Sequence, residues 1–294
     1  MIETIKKSRI LSFVLIFLMY IVATFAGILI FSLNKSGNDI LYLFYADFVA
    51  TVIIWLFGIP FSNSSVYDPY WSVAPPVILT LLAYHYGIFS LPSILLLAAV
   101  WFWAIRLTVN WMYTFPNLMH QDWRYSKMRE ENPGRWQFVN FMGIHFLPTA
   151  IVFLAMLPAF FLLKSDTTAN IFTYIGFVIC IAATLLQLVS DTQMHRFRKK
   201  NTGKVCDTGL WKYSRHPNYV GEISFWWGIY ILAVSVAPQY WWTIIGALAN
   251  TFLFVFISIP MMEKRQILNK PEYADYAKNT AVLIPGFKTD GTKN

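Results

Sequence analysis

Between two apolar runs, from Asp191 to Glu222, the chain reads DTQMHRFRKKNTGKVCDTGLWKYSRHPNYVGE. Asp191 and Glu222 fall at or within the ends of those runs, where an unpaired charge is costly and an ionisable group is a functional residue by default. Arg198, Lys199, Lys200, Lys204 and Arg215 supply cations able to clamp phosphates, and Trp211, Tyr213 and Tyr219 supply flat faces for a ring to stack on. The same composition also suits a juxtamembrane loop that snorkels its basic chains to headgroups, with Asn218 after Pro217 capping the next helix. Packing alone accounts poorly for the compact string Arg215-His216-Pro217-Asn218-Tyr219-x-Gly221-Glu222, which sets polar and ring residues beside a glycine and a membrane glutamate.

Several other chemistries are excluded by spacing. None of the 14 glycines stand two apart, so there is no G-x-G-x-x-G turn, and no P-loop is present. The five histidines, at 85, 120, 145, 195 and 216, show neither H-x-x-x-H nor zinc-like Cys/His spacing, so no metal site is expected. Cys180 lies in an apolar run and Cys206 in a basic loop, which leaves no disulfide framework.

The elements that must position these residues are membrane helices. Apolar side chains make up 57% of the 294 residues and charged ones only 13%, where a soluble domain carries about 25% charged. Mean hydropathy is +0.50. Eight stretches approach the roughly 20 residues that cross a bilayer core: about 10–33, 40–60, 72–89, 91–113, 141–163, 169–192, 220–237 and 240–262. The third and seventh are the weakest. The first follows Lys6, Lys7 and Arg9, is too long for a signal-peptide core and lacks a small-residue cleavage site, so it reads as a retained span.

Eight spans put 20 of the 23 Lys and Arg residues on one side together with both termini, and the opposite side keeps only Lys35 and Lys164. That is the positive-inside pattern, so the expected fold is an all-α transmembrane helix bundle of about eight spans with both termini cytoplasmic. The net charge of +8 therefore belongs to a membrane face that meets lipids or cofactor phosphates, not to a nucleic-acid groove. Arg106 falls inside the fourth span and reads as a polar anchor between helices or at a cofactor cavity. Asp47, in the second, reads as a structural group paired inside the bundle or near a water-filled cavity. The pairs Trp226-Trp227 and Trp241-Trp242 read as packing or interfacial belt.

Taken together, Asp191-x-Gln193, Arg198, Asn201-x-Gly203, Thr208-Gly209-Leu210-Trp211, Tyr213 to Tyr219 and Gly221-Glu222 resemble the core of the DUF1295 proteins, membrane proteins similar to the steroid 5-alpha-reductases. Glu263-Lys264-Arg265, Tyr273-x-x-Tyr276 and Leu283-Ile284-Pro285-Gly286-Phe287 resemble that family's last motif. Trp103-x-x-Arg106 and Asp122-Trp123-Arg124-Tyr125 resemble its middle. The resemblance covers roughly residues 65 to 288. It divides the chain into N-terminal helices over 1–64 and a reductase-like domain over 65–294, with the first span an addition to a seven-helix core.

The resemblance implies NADPH held in a cytoplasm-facing cavity and reduction of a carbon–carbon double bond conjugated to a ketone. The hydrophobic substrate, a sterol-like or isoprenoid lipid, would enter from the bilayer of a bacterial inner membrane or endoplasmic reticulum. No protein partner is deducible. Carried over by position, the cofactor candidates are Asp191, Arg198, Tyr213, Asn218 and Glu222, with Arg215, Arg265 and Tyr276 beside them; Tyr219 joins them as a stacking face.

The steroid reductases pair a glutamate before a membrane helix with a tyrosine. The nearest acidic counterpart is Asp68, in Tyr67-Asp68-Pro69-Tyr70-Trp71, although Asp before Pro also suits a helix N-cap. Trp103 occupies the tyrosine's place, three residues before Arg106, and Tyr67 or Tyr70 could substitute for it. The rival reading is an S-adenosylmethionine-dependent methyltransferase of the isoprenylcysteine carboxyl methyltransferase type, which shares an R-H-P-x-Y string and a terminal Glu and Tyr motif. The regions around Asp68 and Asp122 favour the reductase.

Overall fold

A computed structural model describes residues 2–285 of the chain; Gly286 and Phe287 of the terminal motif lie outside the described residues. The fold is all-helical, and the β-type contact among the described residues is a single bridge between Ser214 and Ala281. The principal helices are α1 (Arg9–Ser32), α2 (Asp39–Phe61), α3 (Tyr70–Tyr86), α4 (Leu91–Thr114), α5 (Trp123–Glu131), α6 (Leu147–Leu163), α7 (Ile171–Lys200), α8 (Pro217–Val234), α9 (Ile244–Phe252), α10 (Ile259–Asn269) and α11 (Tyr273–Asn279). A π-helical stretch, Asn140–Phe146, leads into α6, and another, Leu253–Ser258, joins α9 to α10.

Six segments are long and apolar enough to cross a bilayer: Arg9–Ser32, Asp39–Phe61, Leu91–Thr114, Pro133–Leu163, Ile171–Lys200 and Pro238–Asn269. The other two of the eight apolar stretches form α3 and α8, the same two that are weakest by sequence. Helix α3 has 17 residues and contains Pro75 and Pro76. Helix α8 has 18 and carries Asn218 and Glu222 near its start. Local chemistry sets the helix starts: Ser8 accepts from the amide of Leu11, Asn38 from that of Leu41, and Asn170 forms a capping box with Thr173. On α1 the large side chains of Ile10, Phe17 and Phe25 point outward, a surface that lipid tolerates and water does not.

The described residues form two compact units, 2–78 with 107–153 and 79–106 with 154–285. In the first, α1 buries Ile16, Met19, Tyr20 and Ala23 and α2 buries Ala50, Ile54 and Phe61, each set at helical spacing, around a core completed by Val66, Tyr67, Tyr70, Phe115 and Leu118. Several polar side chains threaded through this core are paired. Tyr70 donates to Asp47 Oδ1 at 2.6 Å, Tyr67 meets Thr149 at 2.8 Å, and Thr149 meets Thr51 at 3.0 Å. Asp47 thus has a hydrogen-bond partner inside the bundle.

In the second unit α7 and α8 lie against each other at backbone contact. A Cβ on Gly176 would stand 2.5 Å from the amide nitrogen of Leu232, one on Gly228 2.6 Å from Cys180 Sγ, and one on Gly221 2.5 Å from Gln187 Cγ. These contacts step down one helix as they step up the other, so they fix a single antiparallel register. Small residues are what allow membrane helices to approach this closely. The register sets the C-terminal part of α7, with Asp191, across from the first turn of α8, with Asn218.

Candidate functional site

At the α7–α8 end, Arg106 of α4 joins two acceptors on one face of α7. Its Nη1 donates to Gln187 Oε1 at 2.7 Å, and its Nη2 forms an ion pair with Asp191 Oδ2. Gln187 and Asp191 are four residues apart, so one helix face presents both to the guanidinium. Asn218 Nδ2 reaches the other oxygen of Asp191 at 3.4 Å. Arg106 is thereby an anchor between helices. Its Nε and the Nε2 of Gln187 are buried donors with no acceptor among the described residues.

One turn deeper on α8, Glu222 is buried and its carboxylate is held by two indoles. Trp103 Nε1 donates to Oε2 at 3.0 Å and Trp226 Nε1 to Oε1 at 3.1 Å. Trp103 also stacks on Phe225, with ring centroids 4.8 Å apart and planes 11° from parallel. The indole N–H of Trp103 is therefore committed to Glu222. Trp226 is a hydrogen-bonding residue as well as a packing one, and Trp227 donates to Thr251.

The loop from Asn201 to His216 is pinned from both sides. Gly209 takes a left-handed backbone, φ +60°, that brings it against the side chain of Gln193, and Gln193 accepts from the amide of Leu210 at 2.8 Å. The Trp211 indole donates to the carbonyl of Ser190 at 2.9 Å. Tyr276 of α11 donates to the carbonyl of Trp211, and burial pushes its hydroxyl above the ordinary tyrosine range. Arg215 and His216 are buried and share Glu263 Oε1, at 3.1 and 3.2 Å. The amide of Arg215 donates to the carbonyl of Ala281, so the terminal segment fastens this loop. Tyr219 stacks on His216 at 5.2 Å, with its ring against Phe254 at 4.8 Å.

Outside these networks, Arg198 and Tyr213 are exposed and Arg265 is half-buried. The ammonium of Lys270, anchored to the carbonyl of Lys204 at 2.8 Å, is held below its ordinary value by burial and by the charges of Arg198 and Arg265. Three cations thus share one patch at the mouth of the loop. Such a concentration of positive charge suits an anion.

Asp68 and Tyr70 belong to the first unit, whereas Trp103 and all the cofactor candidates belong to the second. Asp68 Oδ1 accepts the Tyr125 hydroxyl at 2.6 Å. Its carboxyl is pushed up to about 7 by burial, against the downward pull of that bond and of the Arg124 charge. Asp122, in a motif of the family's middle, caps α5 and forms an ion pair with Arg124 at 2.8 Å.

Gln187, Trp226, Glu263 and Lys270 complete these networks although sequence reasoning gave none of them a role in the site. Helical spacing held the signal for two of them. Gln187 precedes Asp191 by four residues, and Trp226 follows Glu222 by four.

Comparison with known proteins adds three findings. The family described as "Protein of unknown function (DUF1295)" matches residues 54–280. An uncharacterized protein of Schizosaccharomyces pombe is 22% identical over 275 residues, which cover 84% of this chain and 79% of that one. The 3-oxo-5-alpha-steroid 4-dehydrogenase 1 of Macaca fascicularis is 36% identical over 114 residues, which cover 38% of this chain and 40% of that protein. No solved structure matches.

Proposed function

On the premise that the chain belongs to the DUF1295 family and is a steroid 5-alpha-reductase-like membrane protein, we propose that it is an NADPH-dependent reductase of a lipophilic enone. The name of the macaque relative describes dehydrogenation of a 3-oxo-5-alpha-steroid at position 4. Run in reverse, that chemistry saturates a double bond conjugated to a ketone. The substrate class proposed here is correspondingly a 3-oxo-steroid-like or isoprenoid lipid that reaches the protein through the bilayer.

The observation that carries the cofactor assignment is the donor set of the second unit. Buried donors on Arg106 and Gln187 lack acceptors among the described residues, and the cationic patch of Arg198, Arg265 and Lys270 lies at the loop mouth. Phosphates and ribose hydroxyls are the acceptors such a set suits. In this reading Arg198, Arg265 and Lys270 bind phosphate, Asp191 and Asn218 meet a ribose, and Tyr213 and Tyr219 offer stacking faces. Arg215 and Tyr276 hold the loop in shape from behind.

When bound, NADPH supplies the hydride that adds to the carbon β to the ketone. The chain must stabilise the negative charge that develops on the ketone oxygen and deliver a proton to the α carbon. Asp68 is the proposed acid: burial raises its carboxyl to about 7, which keeps a protonated fraction available near neutral pH. Tyr70 donates to Asp47, and Trp103 acts through Glu222, whose carboxylate it orients.

The methyltransferase reading is the second choice because S-adenosylmethionine carries a sulfonium cation, and the patch around Lys270 repels cations. One experiment separates the two. The detergent-solubilised protein is titrated with NADPH and, in parallel, with S-adenosylmethionine, and the bound NADPH is then challenged with enone-bearing lipids. Saturable NADPH binding with enone-dependent NADPH consumption supports the reductase; binding of S-adenosylmethionine alone overturns it.

A further inference from the structure

Asn250 lies on α9 with no exposed surface, and neither its Oδ1 nor its Nδ2 has a hydrogen-bond partner among the described residues. A primary amide left wholly unpaired in a bundle interior is unfavourable by several hydrogen-bond equivalents, and native structures seldom carry one without a ligand or water to meet it. The neighbours on its face are committed to packing. A Cβ on Gly246 would stand 2.2 Å from the carbonyl oxygen of Leu154, and Phe254 rests on Tyr219.

That last contact fixes the level of the amide. Helices α8 and α9 are consecutive, joined through the short turn Pro238–Thr243, and so run antiparallel. Glu222 lies three residues beyond Tyr219 on α8, about 4.5 Å deeper, and Asn250 lies four residues before Phe254 on α9, about 6 Å deeper. Both descend from the same contact, so the unpaired amide is at the depth of the carboxylate that Trp103 and Trp226 hold. The helix also widens into the π-helical stretch Leu253–Ser258 immediately after this position, a distortion common at functional sites.

We infer that Asn250 is a specificity residue for the ring end of the cofactor and that its amide pairs with the carboxamide of the reduced nicotinamide. This rests on the NADPH reading above. A primary amide offers a donor and an acceptor side by side, and another primary amide satisfies both at once, each donating N–H to the other's carbonyl oxygen. An adenine edge pairs with an amide in a similar way, but Asn250 lies at the depth of Glu222, inside the bundle beyond the loop whose mouth carries the cations, and that depth favours the ring end over the adenine and phosphate end. Asn250 thus reads a part of NADPH that the cation patch does not touch.

The test uses three ligands in equilibrium titrations of the full chain in detergent: NADPH, its reduced 3-acetylpyridine analogue, in which a methyl group replaces the amide nitrogen, and 2′,5′-ADP, which lacks the ring end. The wild type is expected to bind NADPH about tenfold or more tightly than the analogue. Asn250→Leu, close in volume and apolar, is expected to bind both equally and to keep wild-type affinity for 2′,5′-ADP, which also reports that it is folded. Retention of full discrimination by Asn250→Leu, or equal affinities in the wild type, overturns the inference while leaving the cofactor reading in place. Failure of the wild type to bind either NADPH or 2′,5′-ADP overturns both.

Discussion

Trp103 Nε1 stands 3.0 Å from Glu222 Oε2, and the indole ring is stacked on Phe225 as it donates. The bond is buried, so its loss strands an acceptor oxygen in an apolar setting. Trp103→Phe keeps the stacking and removes the donor. The expected cost is about 1.5–3 kcal/mol, read as a thermal midpoint lowered by several degrees. A double substitution with Glu222→Met, which takes away both acceptor oxygens, should lose less than the two single changes added together, since each removes the same interaction. Additive losses would mean that the two side chains are not coupled.

Arg198 is exposed, so its removal leaves the fold intact while thinning the cation patch beside Lys270. Arg198→Ala should weaken NADPH binding about tenfold to a hundredfold, the usual range for a lost charge-assisted contact. The loss should shrink as salt rises, because exposed charges are screened. Calorimetric titration at two ionic strengths measures it, and an unchanged affinity would remove Arg198 from the site.

The carboxyl of Asp68, raised to about 7 by burial, ties turnover to pH. A raised carboxyl binds its proton more tightly when folded than when unfolded, where its pKa is about 3.9. The stability it contributes is therefore present at low pH and is lost as pH climbs toward 7. Asp68→Asn should become more stable relative to the wild type over that interval. If Asp68 is the acid, wild-type turnover falls as pH rises through about 7, while the variant is about 10²-fold or more slower below that pH and shows no such limb, so that the two converge at high pH. Near-normal turnover of an accepted enone by the variant would return Asp68 to a structural role and direct attention to Tyr67 and Tyr70.

Gly221 faces Gln187 and the carbonyl of Ala183 with no room for a Cβ. Gly221→Val should abolish accumulation of folded protein, whereas Gly134→Ala, where the structure has open space, should be silent. Size-exclusion profiles after detergent extraction compare the two, and a monodisperse Gly221→Val protein would contradict the close helix contact.

The eight-span topology is tested by reporter fusions after Asn34, Asn140 and Asn294. The basic-residue partition puts the last two in the cytoplasm and the first on the opposite side. A non-cytoplasmic signal from the Asn294 fusion would reject eight spans with both termini cytoplasmic.

Much of this architecture is legible in the sequence because membrane helices announce themselves by length and hydropathy. Helix α1 runs Arg9–Ser32, against about 10–33 read from composition. Helix α8 is harder to read, since Asn218 and Glu222 dilute its apolar signal; its membrane compatibility comes from α7 and the two indoles. The chemistry-bearing string from Asp191 to Glu222 stands out by residue type, yet its partners do not. Gln187 and Asn250 look like isolated polar residues in apolar runs, Trp226 looks like an interfacial aromatic, and Glu263 lies far from Arg215 in the chain. Their roles are set by tertiary register, which a single sequence states only through helical spacing on one element at a time.

The glycine contacts between α7 and α8 also bear on how the protein is made. On its own, α8 would present Asn218 and Glu222 to hydrocarbon, at a cost of several kcal/mol, roughly 2.5–3.5 for a central acid. Helix α7 leaves the ribosome first and carries the complementary surface: Asp191 for Asn218, and the small-residue track that lets the backbones meet. Partitioning from the translocon into lipid is therefore favourable for the two helices as a hairpin and unfavourable for α8 alone. Stable insertion of α8 is expected to depend on α7 being at hand when α8 emerges.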